Sequence, residues 1–112
     1  MEIEINKSKF IAYKFALENL EQVKAHLEEL KHAHKKATHI CWASVYNKEV
    51  VSEKCSDDGE PSGTAGHPIL NVIKKKNLTN TMVAVVRYFG GIKLGAGGLT
   101  RAYTKATASV LN

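Results

Sequence analysis

The stretch Arg87–Tyr103 reads RYFGGIKLGAGGLTRAY and holds five of the chain's eight glycines. The apolar run Thr81–Val86 precedes it and predicts a strand buried on both faces. Apolar residues then recur at helical spacing, so a helix is predicted to begin near Ala96 or Gly97. Free backbone N–H groups and the positive end of the helix dipole meet in such a loop, and glycine lets an anion approach closely. The stretch therefore predicts a strand–loop–helix unit with an anion-binding loop.

Eight residues of this stretch are the candidate anion-binding and nucleic-acid-binding residues. They are Arg87, Gly90, Gly91, Lys93, Gly95, Gly97, Gly98 and Arg101. The spacing fits neither the phosphate loop of nucleoside triphosphatases nor the dinucleotide-binding fingerprint. Arg101 is predicted in the first helical turn, where the dipole disfavours a cation unless an anion is shared there. The alternative is a tight turn whose glycines serve only to provide positive φ.

A second loop is rich in carboxylates. Residues 56–68 read SDDGEPSGTAGHP, in which the candidate acid–base groups are Asp57, Asp58, Glu60 and His67. The carboxylates are also candidates for a structural ion pair with Lys93 or Arg101, or for a divalent cation. Neither calcium-loop nor zinc-ligand spacing is present, so no metal site and no cofactor are predicted. A structural interpretation assigns the aspartates to turns and Thr64 to the N-cap of the next helix.

The remaining periodicity predicts one domain with the element order β-α-β-β-α-β-α. Strands are predicted at Ser8–Phe15, His39–Tyr46, Val50–Cys55 and Thr81–Val86, and helices at about 20–36, 65–76 and from 96 onward. A sheet covered mainly on one face by helices is the simplest packing of these elements. His32 and His34 are expected at the solvated end of the first helix.

The two cysteines are predicted to be neighbours. If the hairpin of the second and third strands is symmetric about Lys48, Cys41 lies opposite Cys55. The pair would then be two free thiols in a reducing compartment, or a disulfide under oxidation.

Composition indicates an ordinary globular domain with some excess of positive charge. The 112 residues are 44% hydrophobic and 24% charged, which fits a single domain spanning residues 1–112. The net charge of +5 favours anionic partners, although a lysine-rich solubilising surface gives the same value. Neither a membrane-spanning run nor a signal-peptide pattern is visible, so a cytoplasmic protein without a membrane partner is expected. No oligomeric state is predicted.

Four segments closely resemble the IMPACT/YigZ family. They are Ser8–Ala12, Ala37–Ala43, Ser56–Gly66 with Pro68, and Val86–Leu99 with Arg101–Tyr103. The resemblance implies an α/β fold of the α+β two-layer type, with a four-stranded sheet and a left-handed βαβ crossover. This fold is similar to the second domain of a small-subunit ribosomal protein and to the fourth domain of the translocation elongation factor. The left hand comes from the resemblance alone, because the general rule favours right-handed crossovers.

The resemblance also implies a single-domain member with a role in translation. Eukaryotic relatives restrain a starvation-responsive translation kinase by binding its activator. The principal hypothesis is a non-enzymatic module that binds RNA or the ribosome through the glycine-rich loop. A protein-interaction regulator and an enzyme acting on a phosphorylated substrate are the alternatives. Tyr88, Phe89 and Tyr103 are expected in the core, with stacking on a base as the alternative.

Overall fold

The computed structural model describes residues 1–111, and in them the predicted element order is present with one additional strand at the start. The strands are β1 Glu2–Ile5, β2 Ser8–Ala16, β3 His39–Asn47, β4 Val51–Ser56 and β5 Thr81–Tyr88, and the helices are α1 Glu21–Ala33, α2 Gly66–Lys75 and α3 Gly95–Val110. Among these helices, none is long and apolar enough to cross a membrane.

The strands form one antiparallel sheet in the order β1-β2-β5-β3-β4. The α+β fold class is confirmed, with five strands in place of the predicted four. Both β2 and β3 run antiparallel to β5, so the β2–α1–β3 connection crosses β5, as the resemblance implied. The left hand of this crossover stays a prediction.

The additional strand, β1, joins β2 through a two-residue turn at Asn6 and Lys7, whose φ angles are 49° and 68°. Such turns are usually recognised by a glycine at the second position. Lysine occupies that position here, so the sequence carries no clear hairpin signal. The strand nevertheless contributes to the fold, because Ile3 and Ile5 pack against the core.

Helices cover both faces of the sheet. Two helices, α2 and α3, pack on the face that carries Val83 and Val85 of β5. The third helix, α1, packs on the opposite face, which carries Met82 and Val86. The helices therefore lie mainly on one face, as predicted, but the other face is covered as well. Every residue of Thr81–Arg87 is buried, because β5 has a strand on each side and helices on each face.

The β3–β4 hairpin corrects the predicted cysteine arrangement. Ala43 pairs with Cys55, which centres the hairpin on Glu49 rather than on Lys48. Cys41 therefore does not lie opposite Cys55, and both are free thiols. The difference arises because β3 ends and β4 begins one residue later than predicted, at Asn47 and Val51.

Candidate functional site

Two loops converge at one end of the sheet. The acidic loop, residues 57–65, follows β4, and the glycine loop, residues 89–98, follows β5. Both line a cavity of about 420 Å³. Its walls include Glu60 and Pro61 from the acidic loop, Phe89 and Lys93 from the glycine loop, and Thr38 and His39 at the start of β3. Groups that are distant in sequence therefore share one site.

A buried ion pair forms the inner wall of the cavity. Both carboxylate oxygens of Glu60 accept hydrogen bonds from Arg87 Nη1, at 2.9 and 2.7 Å. Tyr103 donates to Glu60 Oε2 at 2.5 Å, and Arg87 Nη2 donates to Ser8 Oγ at 3.3 Å. The side chains of Glu60 and Arg87 are only 3% and 6% exposed. These two candidate residues therefore neutralise each other, and the acidic loop pairs with Arg87 at the end of β5 rather than with the predicted Lys93 or Arg101.

A thiol and a phenol extend this buried cluster. The Cys41 Sγ atom lies 3.4 Å from the Tyr103 hydroxyl and 3.0 Å from the Asp57 carbonyl oxygen. Burial raises the pKa of Cys41 to about 12. Burial, together with Cys41 and Glu60, also raises the pKa of Tyr103. Neither group ionises near neutral pH, so neither is an activated nucleophile or base.

Asp57 caps α2 although it lies nine residues before the first residue of that helix. Its Oδ1 accepts the N–H groups of Gly66 and Ala65 at 2.7 and 3.2 Å, and its Oδ2 accepts that of Gly63 at 2.9 Å. Desolvation acts to raise the pKa of Asp57, but the three backbone hydrogen bonds outweigh it and hold the pKa below its ordinary value. Thr64, the predicted N-cap, makes no capping hydrogen bond to α2.

Asp58 fixes the start of β3. Its Oδ2 accepts the N–H of Ile40 at 2.7 Å, and its carbonyl oxygen accepts the proton of His39 Nδ1 at 2.7 Å. The other ring nitrogen of His39, Nε2, lies 3.5 Å from Glu60 Oε1.

His67 is exposed in the first turn of α2 and does not line the cavity. Only Glu60 of the four acid–base candidates lines it, and within residues 1–111 no cluster of side chains suited to a metal ion is present.

Backbone geometry requires three of the glycines in the glycine loop. A Cβ atom on Gly90 would lie 1.9 Å from the carbonyl oxygen of Lys7 in the β1–β2 turn. Gly91 and Gly95 have φ angles of 91° and 73°, which other residues adopt only with strain. These three glycines are explained without a ligand.

The first turn of α3 has unpaired N–H groups. Its N-cap residue, Leu94, makes no side-chain capping bond, and the turn contains no acidic residue. Gly97 and Gly98 lie in this turn without positive φ. Arg101 lies in the second turn rather than the first, because α3 begins at Gly95, and its guanidinium group lies close to Gly97. The N–H groups and Lys93 beside them are therefore available to an anion.

The cavity belongs to a wider surface, which we call the basic end. A second concavity shares Phe89 with the cavity, and a third shares Thr38 and His39 with it. The five lysines that line the three concavities are Lys7, Lys9, Lys31, Lys35 and Lys93, and all are exposed. Glu2 and Asp58 are the exposed carboxylates among the lining residues. Positive charge therefore predominates at this end of the sheet.

The aromatic residues around the glycine loop lie in three environments. Tyr103 is fully buried, as expected. Tyr88 is half-buried, and its hydroxyl lies 2.7 Å from His34 Nδ1. The other His34 nitrogen lies 2.7 Å from the Tyr13 hydroxyl, so His34, the C-cap residue of α1, is half-buried rather than solvated. Phe89, which was expected in the core, is 47% exposed.

Sequence reasoning missed most of the basic end. The lysines at positions 7, 9, 31 and 35 come from the β1–β2 turn, β2, the last turn of α1 and the segment after α1, and nothing in their local sequence connects them. The sequence did carry a signal for Thr38 and His39 as site residues, because they lie in one of the segments that resemble the IMPACT/YigZ family. Phe89 also lies in such a segment, but its exposure had no signal, since an exposed aromatic and a core aromatic look alike in sequence.

Comparison with known proteins relates the chain to one family. The Impact N-terminal domain matches residues 6–111. The IMPACT family member YvyE of Bacillus subtilis is 48% identical over 111 residues, which are 99% of this chain and 51% of the relative. YigZ of Escherichia coli is 42% identical over 89% of this chain and 50% of the relative. The chain thus spans about half the length of these bacterial relatives.

Two solved structures share the fold. The crystal structure of a hypothetical protein aligns with a TM-score of 0.93 and 38% identity, over 99% of this chain and 55% of that protein. The two-domain translational regulator Yih1 aligns with a TM-score of 0.65 and 26% identity, over 96% of this chain and 44% of Yih1.

Proposed function

This chain belongs to the IMPACT family, and we propose that it is a non-enzymatic, translation-associated regulatory module that binds RNA through the basic end. The translational role is supported by the likeness to Yih1, a translational regulator. Because translation takes place in the cytoplasm, the proposal places the protein there.

The observation that carries the RNA proposal is the grouping of five exposed lysines around connected concavities with an exposed aromatic ring. Lysines contact phosphates without reading sequence, so they supply affinity and position the nucleic acid. The unpaired N–H groups at the start of α3 add donors for a further phosphate. Few exposed carboxylates oppose these contacts.

The catalytic alternative has less support from the geometry. Asp57 is used by the backbone of α2, Asp58 by the backbone of β3, and Glu60 by Arg87 and Tyr103. A general base needs a carboxylate that is free to accept a substrate proton. The hydrogen bonds of all three carboxylates are instead directed into the fold.

Binding to a structured RNA at several salt concentrations tests the proposal. The double variant Lys31→Ala/Lys93→Ala is expected to bind more weakly and to show a smaller salt dependence, by about 0.7–0.9 in the log–log slope for each lost phosphate contact. Its matched control is Lys75→Ala/Lys105→Ala, which removes the same charge away from the basic end. Filter binding measures both.

Two results would contradict RNA binding at the basic end. One is the absence of binding by the unaltered protein at low salt. The other is an equal loss of affinity in the two double variants, which would indicate that net charge alone causes the binding.

A protein-interaction regulator is the second candidate. Phe89 and Ile92, both in the glycine loop, are 47% and 44% exposed, and exposed apolar side chains are typical of protein interfaces. Capture of a partner from a nuclease-treated lysate, with loss of capture in Ile92→Ala, would favour this function over RNA binding.

A further inference from the structure

We infer that the cavity between the two loops accepts one unpaired nucleotide, with its base stacked on Phe89 and its phosphate at Lys93 and the first N–H groups of α3. The inference rests on the proposed RNA binding and narrows its substrate to RNA with unpaired nucleotides.

The backbone on both sides of the Phe89 ring is held in place. The Phe89 N–H donates to Thr38 Oγ1 at 3.0 Å, and the Gly90 N–H donates to Ser8 Oγ at 3.2 Å. Gly90 also packs so closely on the β1–β2 turn that a side chain would collide with Lys7. The exposed ring is therefore presented by a fixed segment of chain rather than by a free loop.

The ring itself is supported from within the protein. The Arg87 Cζ atom lies over the Phe89 ring, 5.4 Å from its centroid, and over the buried Phe10 ring at the same distance. Glu60 and Ser8 hold the guanidinium group by hydrogen bonds. A fixed cation lies over the ring, yet the residue remains 47% exposed. A preorganised aromatic surface beside lysines is what base stacking requires.

The cavity has the size and the polarity for a single nucleotide. Its volume of about 420 Å³ falls in the range of small-ligand pockets, which is about 300–1,000 Å³. Its walls include the apolar residues Pro61, Leu94 and Leu99, which suit the face of a base. The negative charge of Glu60 does not oppose a phosphate, because Arg87 neutralises it.

Donors for a phosphate line the same cavity. Lys93, Gly95 and Ala96 all line the cavity, and α3 begins there without a side-chain cap. Bases in an RNA duplex are stacked on their neighbours and present no free face. Stacking on Phe89 therefore selects unpaired nucleotides.

The test compares a single-stranded RNA 12-mer with a blunt RNA duplex of equal phosphate number. The 12-mer is expected to bind more tightly, and Phe89→Leu is expected to weaken its binding by roughly 5- to 150-fold, the effect of losing one base stack. Phe89→Trp keeps an aromatic surface and is expected to retain the affinity, with quenching of the new tryptophan by RNA. Val51→Ala, which removes an exposed apolar group at the far end of the sheet, is the control.

The possible results distinguish this inference from the proposal of RNA binding on which it rests. If RNA binding depends on Lys31 and Lys93 but is unchanged in Phe89→Leu, or if the duplex binds as well as the 12-mer, the nucleotide site is wrong and RNA binding stands. If the unaltered protein binds neither RNA, both are wrong. Circular dichroism of each variant verifies folding, which an exposed substitution is expected to preserve.

Discussion

At the residue scale, the Glu60–Arg87 pair connects the acidic loop to the end of β5, where the glycine loop begins. Its charges are buried, with Tyr103 and Ser8 as further hydrogen-bond partners. Taking two charges out of water is costly, and in such pairs this cost is offset only when nearly every polar atom is satisfied. Within the described residues, Arg87 Nε is the one atom of this pair that lacks a partner. The pair therefore fixes the geometry of the site more than it stabilises the fold.

This interpretation predicts strong coupling between the two side chains. Glu60→Gln leaves the Arg87 charge buried without its counter-ion, and the expected cost is about 3–5 kcal/mol in the free energy of unfolding. Glu60→Gln/Arg87→Met is expected to cost clearly less than the sum of the single changes, since both charges are removed. Urea unfolding of the four proteins measures the coupling. Additive costs would contradict it.

Asp57 predicts a pH dependence of stability. Its pKa is lower in the folded protein than its ordinary value of 3.8, so its stabilising contribution is fully present above that value. The contribution is lost as the pH falls below 3.8 and passes through the lowered folded-state pKa. Asp57→Ala is expected to cost about 1–2 kcal/mol at pH 7, because α2 loses its cap.

Unfolding measurements on both proteins from pH 7 to pH 2 test this expectation. The difference between them should shrink at the acid end of the range. A difference that stays constant with pH would show that the Asp57 charge is not responsible.

At the element scale, the glycine loop combines two kinds of requirement. Gly90, Gly91 and Gly95 are required by a close backbone approach or by positive φ. A Cβ atom on Gly97 would contact only the guanidinium group of Arg101, which is the far end of a flexible, exposed side chain. The high glycine content of the loop is thus partly explained by backbone structure. Gly97 is the position at which a functional requirement for glycine can be distinguished from a structural one.

The two classes of glycine are expected to respond oppositely to alanine. Gly90→Ala forces the β1–β2 turn away from the loop and is expected to destabilise the protein by more than 1 kcal/mol, roughly the size of an overpacking penalty. Gly97→Ala is expected to stabilise α3 by about 0.5–1 kcal/mol, since glycine is a poor helix former. Thermal unfolding of both variants tests the pair, and a Gly97→Ala protein less stable than the parent would contradict the assignment.

At the scale of the whole molecule, the basic end forms where several elements start or stop. The glycine loop follows β5, α1 ends nearby, β2 and β3 begin there, and α3 starts there. The antiparallel order of the sheet brings these termini to one edge. The grouping of exposed lysines at this edge thus follows from the topology, and the buried strand β5 lies at the centre of the elements that carry them.

The sequence determined the local elements, the α+β class and the two loops. Apolar periodicity marks α1 and α3, and a continuous apolar run marks β5, because burial acts on neighbouring residues of one segment. The family resemblance added the crossover, which periodicity does not encode. Neither strand β1 nor the register of the β3–β4 hairpin was predicted correctly, because Lys7 is an unusual turn residue and the β3–β4 turn lies one residue later than predicted.

The tertiary structure alone decided which groups meet. Glu60 was one of four acid–base candidates, and only the fold shows that it bonds Arg87 while Asp57 caps α2. The exposure of Phe89 and the gathering of lysines from β2, α1 and the glycine loop were likewise settled by packing. The physical reason is that such contacts join residues far apart in sequence, and their energies depend on distances that no local pattern specifies.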